Sequence, residues 1–563
     1  MSDPADGAAK SKVTDPLLME LDKLGNGSQF LWMIFIFTLI PTIFNGMYSM
    51  SYIFIAEVPD HWCKLPELNV SWTNEQERNI SSASPCTMYN YDYRIFDNKT
   101  FEEALEYKDH HELPDEIACP LGISFETAID RTTFVEEWAL VCDKSAARAS
   151  AHMILSLGKL LGSAVFGTFA DKYGRKISYV IGVILLIISG PAGALVPWYW
   201  AFMISRLFNG ASHAAIQYSA FTTLTEVASE KHRQWMGIAY NIGYASGIVI
   251  VAGVAYFIVS WRWLQLAISL PALLLLIPLW IMPESPRWLI TQNRRSEAKN
   301  LIEKASKRSS VESATLETSL SMQRQDLKDS RSSIRGSQDS DKERLGKNIE
   351  GFRVLLCNGE LRNRLIITNF NWMTASLSYY ALALNLNNFS TNKYISVLVM
   401  GLTEIPAYLI PTPILMLMGR RPGCGYLYII AAICLLSILA ISTAEVNAIM
   451  TVSLIGRFCA SAAYGIAILY SSELFPTVCR NSAVGTNSAM SHVGSIAAPY
   501  VAELLGAVLW WGPTTLCGVF TLIAGLLCLI LPETRGRPLA NTVEEEVRRD
   551  RENVSLRNIC KCA

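Results

Sequence analysis

Charge is scarce in this chain. Only 17% of its 563 residues are Asp, Glu, Lys or Arg, 51% are apolar, and mean hydropathy is +0.26. Length alone would suggest three or four soluble domains, but a soluble chain of this size would not read this way. Catalytic signatures are missing as well. The absence of a P-loop, of G-x-S-x-G and of H-E-x-x-H argues against ATP-driven pumping and hydrolysis, so no enzyme is expected. No basic domain offers itself to nucleic acid, and neither C-x-x-C spacing nor a matching His pair supports zinc. No metal or cofactor is expected. A cleavable signal peptide is not expected either, because a polar segment, 1–29, precedes a first apolar run too long for an h-region. The net charge of −1 decides nothing, since asymmetry between loops outweighs the total.

What the chain does have is apolar runs of roughly 20 residues, each long enough to cross about 30 Å of hydrocarbon. Twelve fall near 30–55, 147–170, 177–196, 199–223, 235–258, 262–281, 364–386, 393–417, 424–443, 447–472, 481–506 and 513–531. The expected fold is therefore an all-α membrane protein with twelve transmembrane helices, and the lipid bilayer is its first partner. Lys172, Arg175, Lys176, Lys231, Arg233, Arg420, Arg421, Arg480, Arg535 and Arg537 fall on alternate loops. By the positive-inside rule both termini and the central loop are cytoplasmic, and the first loop, 56–146, lies outside.

One stretch organises the rest: Gly167-Thr-Phe-Ala-Asp171-Lys-Tyr-Gly174-Arg175-Lys176, a charged turn between two apolar runs. Gly174 permits the tight turn, and Asp171 is placed to accept backbone N–H groups at a neighbouring helix end. The turn has an echo, Gly419-Arg420-Arg421, 245 residues on. Arg206 recurs as Arg457 at an offset of 251, and Glu284 as Glu533 at 249. Glu226 with Arg233 recurs as Glu473 with Arg480 at 247. Four features in one order at nearly one offset mean a duplicated half of about 250 residues. Met416 stands where the second copy would have Asp171.

The expected segments are a tail, 1–29, a first bundle, 30–283, a central loop, 284–363, a second bundle, 364–531, and a tail, 532–563. In the first tail, Leu18, Leu21 and Leu24 suggest a helical turn against the membrane face. The outside loop holds three glycosylation sequons, at Asn69, Asn79 and Asn98. Its four cysteines, Cys63, Cys86, Cys119 and Cys142, read as two disulfides with three pairings open. Ala298, Leu301, Ile302 and Ala305 recur at helical spacing within 294–307, which predicts an amphipathic helix. Residues 309–342, rich in Ser, Arg and Asp, read as a disordered insert. Residues 543–551 read as a charged helix, and Cys560 and Cys562 match a prenylation box only loosely.

The turn at 167–176, Pro283-Glu-Ser-Pro-Arg-Trp-Leu289, Glu473-Leu-Phe-Pro-Thr-Val-Cys-Arg-Asn481 and Leu531-Pro-Glu-Thr-Arg-Gly resemble the major facilitator superfamily. Within it, the chain resembles the organic cation, organic anion and carnitine transporters, a likeness running from about Gln29 to Leu539. His-Trp-Cys63, Leu-Val-Cys142 and Trp261-Arg-Trp-Leu-Gln265 strengthen it. The resemblance implies two six-helix bundles rocking about a central cavity in the plasma membrane, with disulfides Cys63–Cys119 and Cys86–Cys142. It also implies a cytoplasmic latch that joins the halves when the site faces outward, drawn from Asp171, Gly174, Arg175, Glu226, Arg233, Glu284, Glu473, Arg480 and Glu533.

Polar groups near the membrane centre are costly and so point to function. Lys159 lies 12 residues before Asp171 and His492 lies 12 after Arg480, which puts both about 18 Å from the inner surface. Glu404 sits at similar depth, with Arg457 and the motif arginine Arg206 further out. With Gln217, Tyr379 and Tyr380 these are the candidate cavity residues. Glu404 and Arg457 have the alternative of pairing with each other. Phe370, Trp372, Tyr379 and Tyr380 supply aromatic faces that could hold an ammonium group or simply pack. His492 occupies the position where the cation transporters of the resembled family carry Asp and the anion and carnitine transporters Arg. Gly465 replaces an acidic or amide residue and Tyr408 a lysine. Lys159, Arg206 and Arg457 against Glu404 leave a formal +2, which favours an organic anion or a carboxylate-bearing zwitterion. The expected partner is that small organic ion, with or without a coupling ion. Transport of organic cations and a non-transporting receptor on the same fold are the alternatives.

Overall fold

The computed structural model describes residues 16–66, 72–126, 132–308, 353, 355–385, 392–476 and 479–535. Asn69, the insert 309–342, the charged segment 543–551 and Cys560 and Cys562 lie outside the described residues.

Apolar segments in lipid must satisfy every backbone group internally, so they become helices. The first six are α1 (Gln29–Ile55), α2 (Ser145–Tyr173), α3 (Arg175–Leu195), α4 (Tyr199–Val227), α5 (Glu230–Phe257) and α6 (Trp261–Ile281). After the central loop come α7 (Gly359–Asn385), α8 (Lys393–Met418), α9 (Arg420–Ala440), α10 (Val446–Leu474), α11 (Arg480–Tyr500) and α12 (Gly512–Cys528). Eight are long and apolar enough to cross a membrane by length and composition. The other four are α12, which is short, and α4, α7 and α11, which carry buried polar side chains such as Asn209, Asn371 and Asn487.

Packing follows the duplication. α1 packs on α5 as α7 does on α11, and α3 packs on α4 as α9 does on α10. Between the halves, α2 meets α11 and α5 meets α8, two contacts that exchange when six is added to or taken from each helix number. Small residues set the closest crossings. A Cβ on Gly158 of α2 would lie 2.2 Å from the Leu207 carbonyl oxygen, and one on Gly210 of α4 would lie 2.1 Å from that of Leu155.

The segment between α1 and α2 folds on itself. Strands His61–Cys63 and Ile123–Phe125 pair antiparallel, and Ser82–Ser84, Thr87–Tyr89 and Glu116–Ala118 make a second small sheet. Helices Asn74–Ser81 and Phe101–His110 each start at a threonine capping box, Thr73 and Thr100. Phe96, Ile80 and Ala104 are buried between them, with Trp72 and Tyr107 packed alongside. Disulfides join Cys63 to Cys119 and Cys86 to Cys142. His61 approaches Cys86 and Cys142, but those two sulfurs are bonded to each other and are not free as metal ligands. Asn79 and Asn98 are exposed.

At the opposite end the helix Pro16–Leu24 departs from the membrane-surface expectation. Its buried residues are Leu17, Leu21 and Leu24, and they pack on Leu224 and Val227 of α4 and on Ile302 and Ala305 of the helix Arg295–Arg308. The leucine stripe finds a protein surface because the amphipathic helix lies beside it.

Replacing Gly158 with leucine forces α2 and α4 apart and should destabilise the first bundle by about 1–3 kcal/mol or more. A lower melting temperature of the purified protein checks this; an unchanged one contradicts the close crossing.

Candidate functional site

Two charged brackets lie at the end of the molecule opposite the disulfide-bonded segment. In the first, Gly174 adopts φ +115° between α2 and α3, and a Cβ there would sit 2.3 Å from a Glu284 carboxylate oxygen. That carboxylate accepts the N–H groups of Arg175 (2.9 Å) and Lys176 (3.2 Å), so it caps the positive end of α3. Arg175 donates to Glu226 (3.0 Å) and to Asp171 (2.9 Å), and Trp288 Nε1 donates to the Asp171 carbonyl (3.0 Å). The second bracket repeats the design. Gly419 has φ +89°, Glu533 accepts the N–H groups of Arg420 (3.0 Å) and Arg421 (3.1 Å), and Arg420 pairs with Glu473 (3.0 Å).

These contacts correct the latch expectation in three ways. The backbone N–H groups assigned to Asp171 go to Glu284, because only that carboxylate reaches the start of α3, while Asp171 takes a guanidinium. Arg420, absent from the expected set, is the counterpart of Arg175. Arg233 and Arg480 each donate to a carbonyl oxygen at the preceding helix end, Ala228 (3.0 Å) and Phe475 (3.3 Å). Each bracket here binds elements of a single half, and the expected latch between the halves belongs to the outward-facing state.

The halves are joined at the other end. Arg148 of α2 pairs with Glu503, just past α11, at 2.8 Å, and the Tyr52 hydroxyl of α1 donates to the same carboxylate. Ser150 and Tyr500 share a hydrogen bond of 2.9 Å, Lys393 pairs with Glu57, and Phe54 stacks on Tyr394 at 5.4 Å. Sequence reasoning missed this clamp. Its one legible signal was Glu503, an acid inside an apolar run.

Between the two ends lie the midplane candidates, and the structure divides them by charge. In the second half Glu404 is buried against Arg457 at 3.1 Å and accepts from Tyr379 (2.9 Å) and Tyr408 (3.0 Å). The Arg457 guanidinium also lies 4.3 Å from the Tyr379 ring centre. In the first half the Lys159 ammonium donates to Ser49 (2.7 Å) and stands within electrostatic range of Arg206 and His492. Arg206 is 1% exposed, and none of its guanidinium nitrogens has a protein hydrogen-bond partner among the described residues. Gln217 is held by Asn45 at 3.0 Å.

The aromatic candidates also separate. Tyr379 and Tyr380 lie 5.0 Å apart, Tyr380 reaches the ring of His152 at 5.3 Å and the hydroxyl of Tyr244 at 3.5 Å. Tyr244 was not anticipated. Trp372 donates to Ser471 at 2.9 Å, and Phe370 packs on Phe520 of α12 at 5.9 Å, so these two serve packing.

Residues 143–545 match the family model described as sugar (and other) transporter. An organic cation transporter protein of Drosophila melanogaster is 32% identical over 90% of this chain and 90% of its own. Solute carrier family 22 member 2 of Homo sapiens is 30% identical over 94% of this chain and 96% of its own. Among solved structures, a partially occluded inward open conformation of the xylose transporter XylE from E. coli superposes with a TM-score of 0.58 at 16% identity. The match covers 91% of this chain and all of that one.

If the Glu503 clamp holds the halves together, Glu503→Gln should weaken it by about 2 kcal/mol and open that end roughly 30-fold more often. Thiol labelling of Val397→Cys, buried in the apolar cluster between the halves, reads this on purified protein. The exchange of Arg148→Glu with Glu503→Arg should restore protection; equal labelling in all three proteins contradicts the clamp.

Proposed function

We propose that this chain, which belongs to the sugar-and-other-transporter family of the major facilitator superfamily on the branch of organic cation, organic anion and carnitine transporters, carries small organic ions bearing a carboxylate. It is a multi-pass membrane transporter and not an enzyme. Organic anions and carnitine-like zwitterions are the proposed substrates, moved by alternating access.

One observation carries the substrate reading. Glu404 is spent on Arg457, and among the described residues Lys159 and Arg206 have no carboxylate as a hydrogen-bond or ion-pair partner. A cavity wall with that balance attracts negative charge and repels a bare cation. The tyrosines at 244, 379 and 380 can hold the ammonium of a zwitterion through their faces.

We place the protein in the plasma membrane with both termini in the cytoplasm. Disulfides and the exposed Asn79 and Asn98 support the placement of residues 56–146 outside, and the arginines of the two brackets suit the cytoplasmic face. The Glu503 clamp then closes the outer end, so this conformation presents its cavity inward. Opening the clamp while the halves rock as rigid bodies would give the other access state.

Uptake into cells expressing the chain tests the reading with three probes: an aromatic carboxylate, a carnitine-like zwitterion and a permanent organic cation. The carboxylate or the zwitterion should accumulate above untransfected cells and compete with the other. Uptake of the cation alone contradicts the charge argument. Uptake of none of them by protein present at the surface favours a receptor on the transporter fold.

A further inference from the structure

Taking the two halves as copies makes the charge imbalance specific. Glu404 lies 15 residues before Gly419, and Lys159 lies 15 residues before Gly174. Both glycines end the equivalent helix with a positive φ, so Lys159 on α2 is the counterpart of Glu404 on α8. Arg206 on α4 is likewise the counterpart of Arg457 on α10. The second half therefore has a closed Arg–Glu pair, whereas in the first half Lys159 stands within electrostatic range of an Arg206 that lies one helical turn further from Glu226 than Arg457 lies from Glu473. Arg206 is buried with no hydrogen-bond partner for its guanidinium among the described residues, which is strongly unfavourable, and the half-buried Lys159 ammonium repels it.

We propose that Lys159 and Arg206 form the seat of the substrate's carboxylate, which supplies to the first half the negative charge that Glu404 supplies to Arg457 in the second. The inference rests on the carboxylate reading above and adds a location and a mode of recognition. Ser49, which already accepts from Lys159, then shares the Lys159 ammonium with the ligand. His492, on the facing half and within electrostatic range of Lys159, lies where a carboxylate in the seat meets the second bundle. His152 and His213, both buried and both within range of Lys159 or Arg206, add hydrogen-bonding nitrogens and no negative charge. Among the described residues the acids that approach through tyrosines are already committed, Glu503 beside Tyr52 to Arg148 and Glu404 beside Tyr244 and Tyr380 to Arg457. Occupation of the seat offsets one of its two positive charges only while the ligand is bound, whereas the Arg457–Glu404 pair of the second half is neutral throughout.

The test is Lys159→Glu, which writes the closed pair into both halves. The variant should reach the cell surface and melt at the wild-type temperature or above, because an Arg–Glu pair replaces an Arg–Lys one. Its uptake of the aromatic carboxylate should fall at least about 10-fold, through KM more than through maximal rate. Lys159→Gln should lose less, and Lys159→Arg should keep most of the affinity. If wild type takes up the carboxylate and both Lys159→Glu and Lys159→Gln keep its KM, the seat is elsewhere and the carboxylate reading survives. If wild type takes up no carboxylate, that reading fails and this one with it. Should Lys159→Glu be lost before the surface, the KM of Lys159→Gln alone decides.

Discussion

The buried pair of Arg457 and Glu404 is the constraint on which the rest of the structure depends. Removing two charges from water costs several kcal/mol each, and their attraction offsets this only when the remaining donors and acceptors are satisfied. Here they largely are: Tyr379 and Tyr408 donate to the two carboxylate oxygens, and the Tyr379 ring lies against the guanidinium. A pair so fully engaged is poorly placed to meet a charged ligand. It fixes the second bundle as the neutral wall of the cavity and leaves the first bundle to supply charge. Duplication made the two halves alike in their helices, and the exchange of glutamate for lysine at one equivalent position made them different in chemistry.

The brackets at the charged end and the clamp at the other follow different logic. Each bracket ties a helix start to an acid from the end of its own half, Glu284 or Glu533, and an arginine to an acid at the end of the fourth helix of that half, Glu226 or Glu473. Such contacts stiffen a bundle without resisting its rotation. The clamp does the opposite, since Glu503 answers to Arg148 and Tyr52 across the interface. Rigid halves with a breakable contact at one end are the parts that rocking requires.

The helices were legible because hydrocarbon permits few alternatives, and the duplication was legible because Gly, Arg and Glu recur at a near-constant offset. The amphipathic helix Arg295–Arg308 was equally plain from Ala298, Ile302 and Ala305, which are buried as their spacing implies. Partner choice was harder. Asp171 and Glu284 are both acids near one turn, and nothing in their order says which reaches the N–H groups of α3. Arg480 looked like a latch residue by its spacing from Glu473, yet its guanidinium donates to the Phe475 carbonyl. The clamp was hidden for a related reason: Arg148 and Glu503 are 355 residues apart, and only the meeting of α2 with α11 brings them together. Among the cavity residues the sum of charges could be read, but its division between the halves could not.

The most direct measurement compares an aromatic carboxylate with its neutral amide isostere as ligands of the purified protein, followed by the shift in melting temperature. A first half that lacks an anion should be stabilised by the carboxylate in proportion to the logarithm of its concentration, and hardly at all by the amide. Equal shifts for the two would mean that the aromatic ring and not the charge is recognised. That result would contradict an uncompensated Lys159 and Arg206 as the centre of the site.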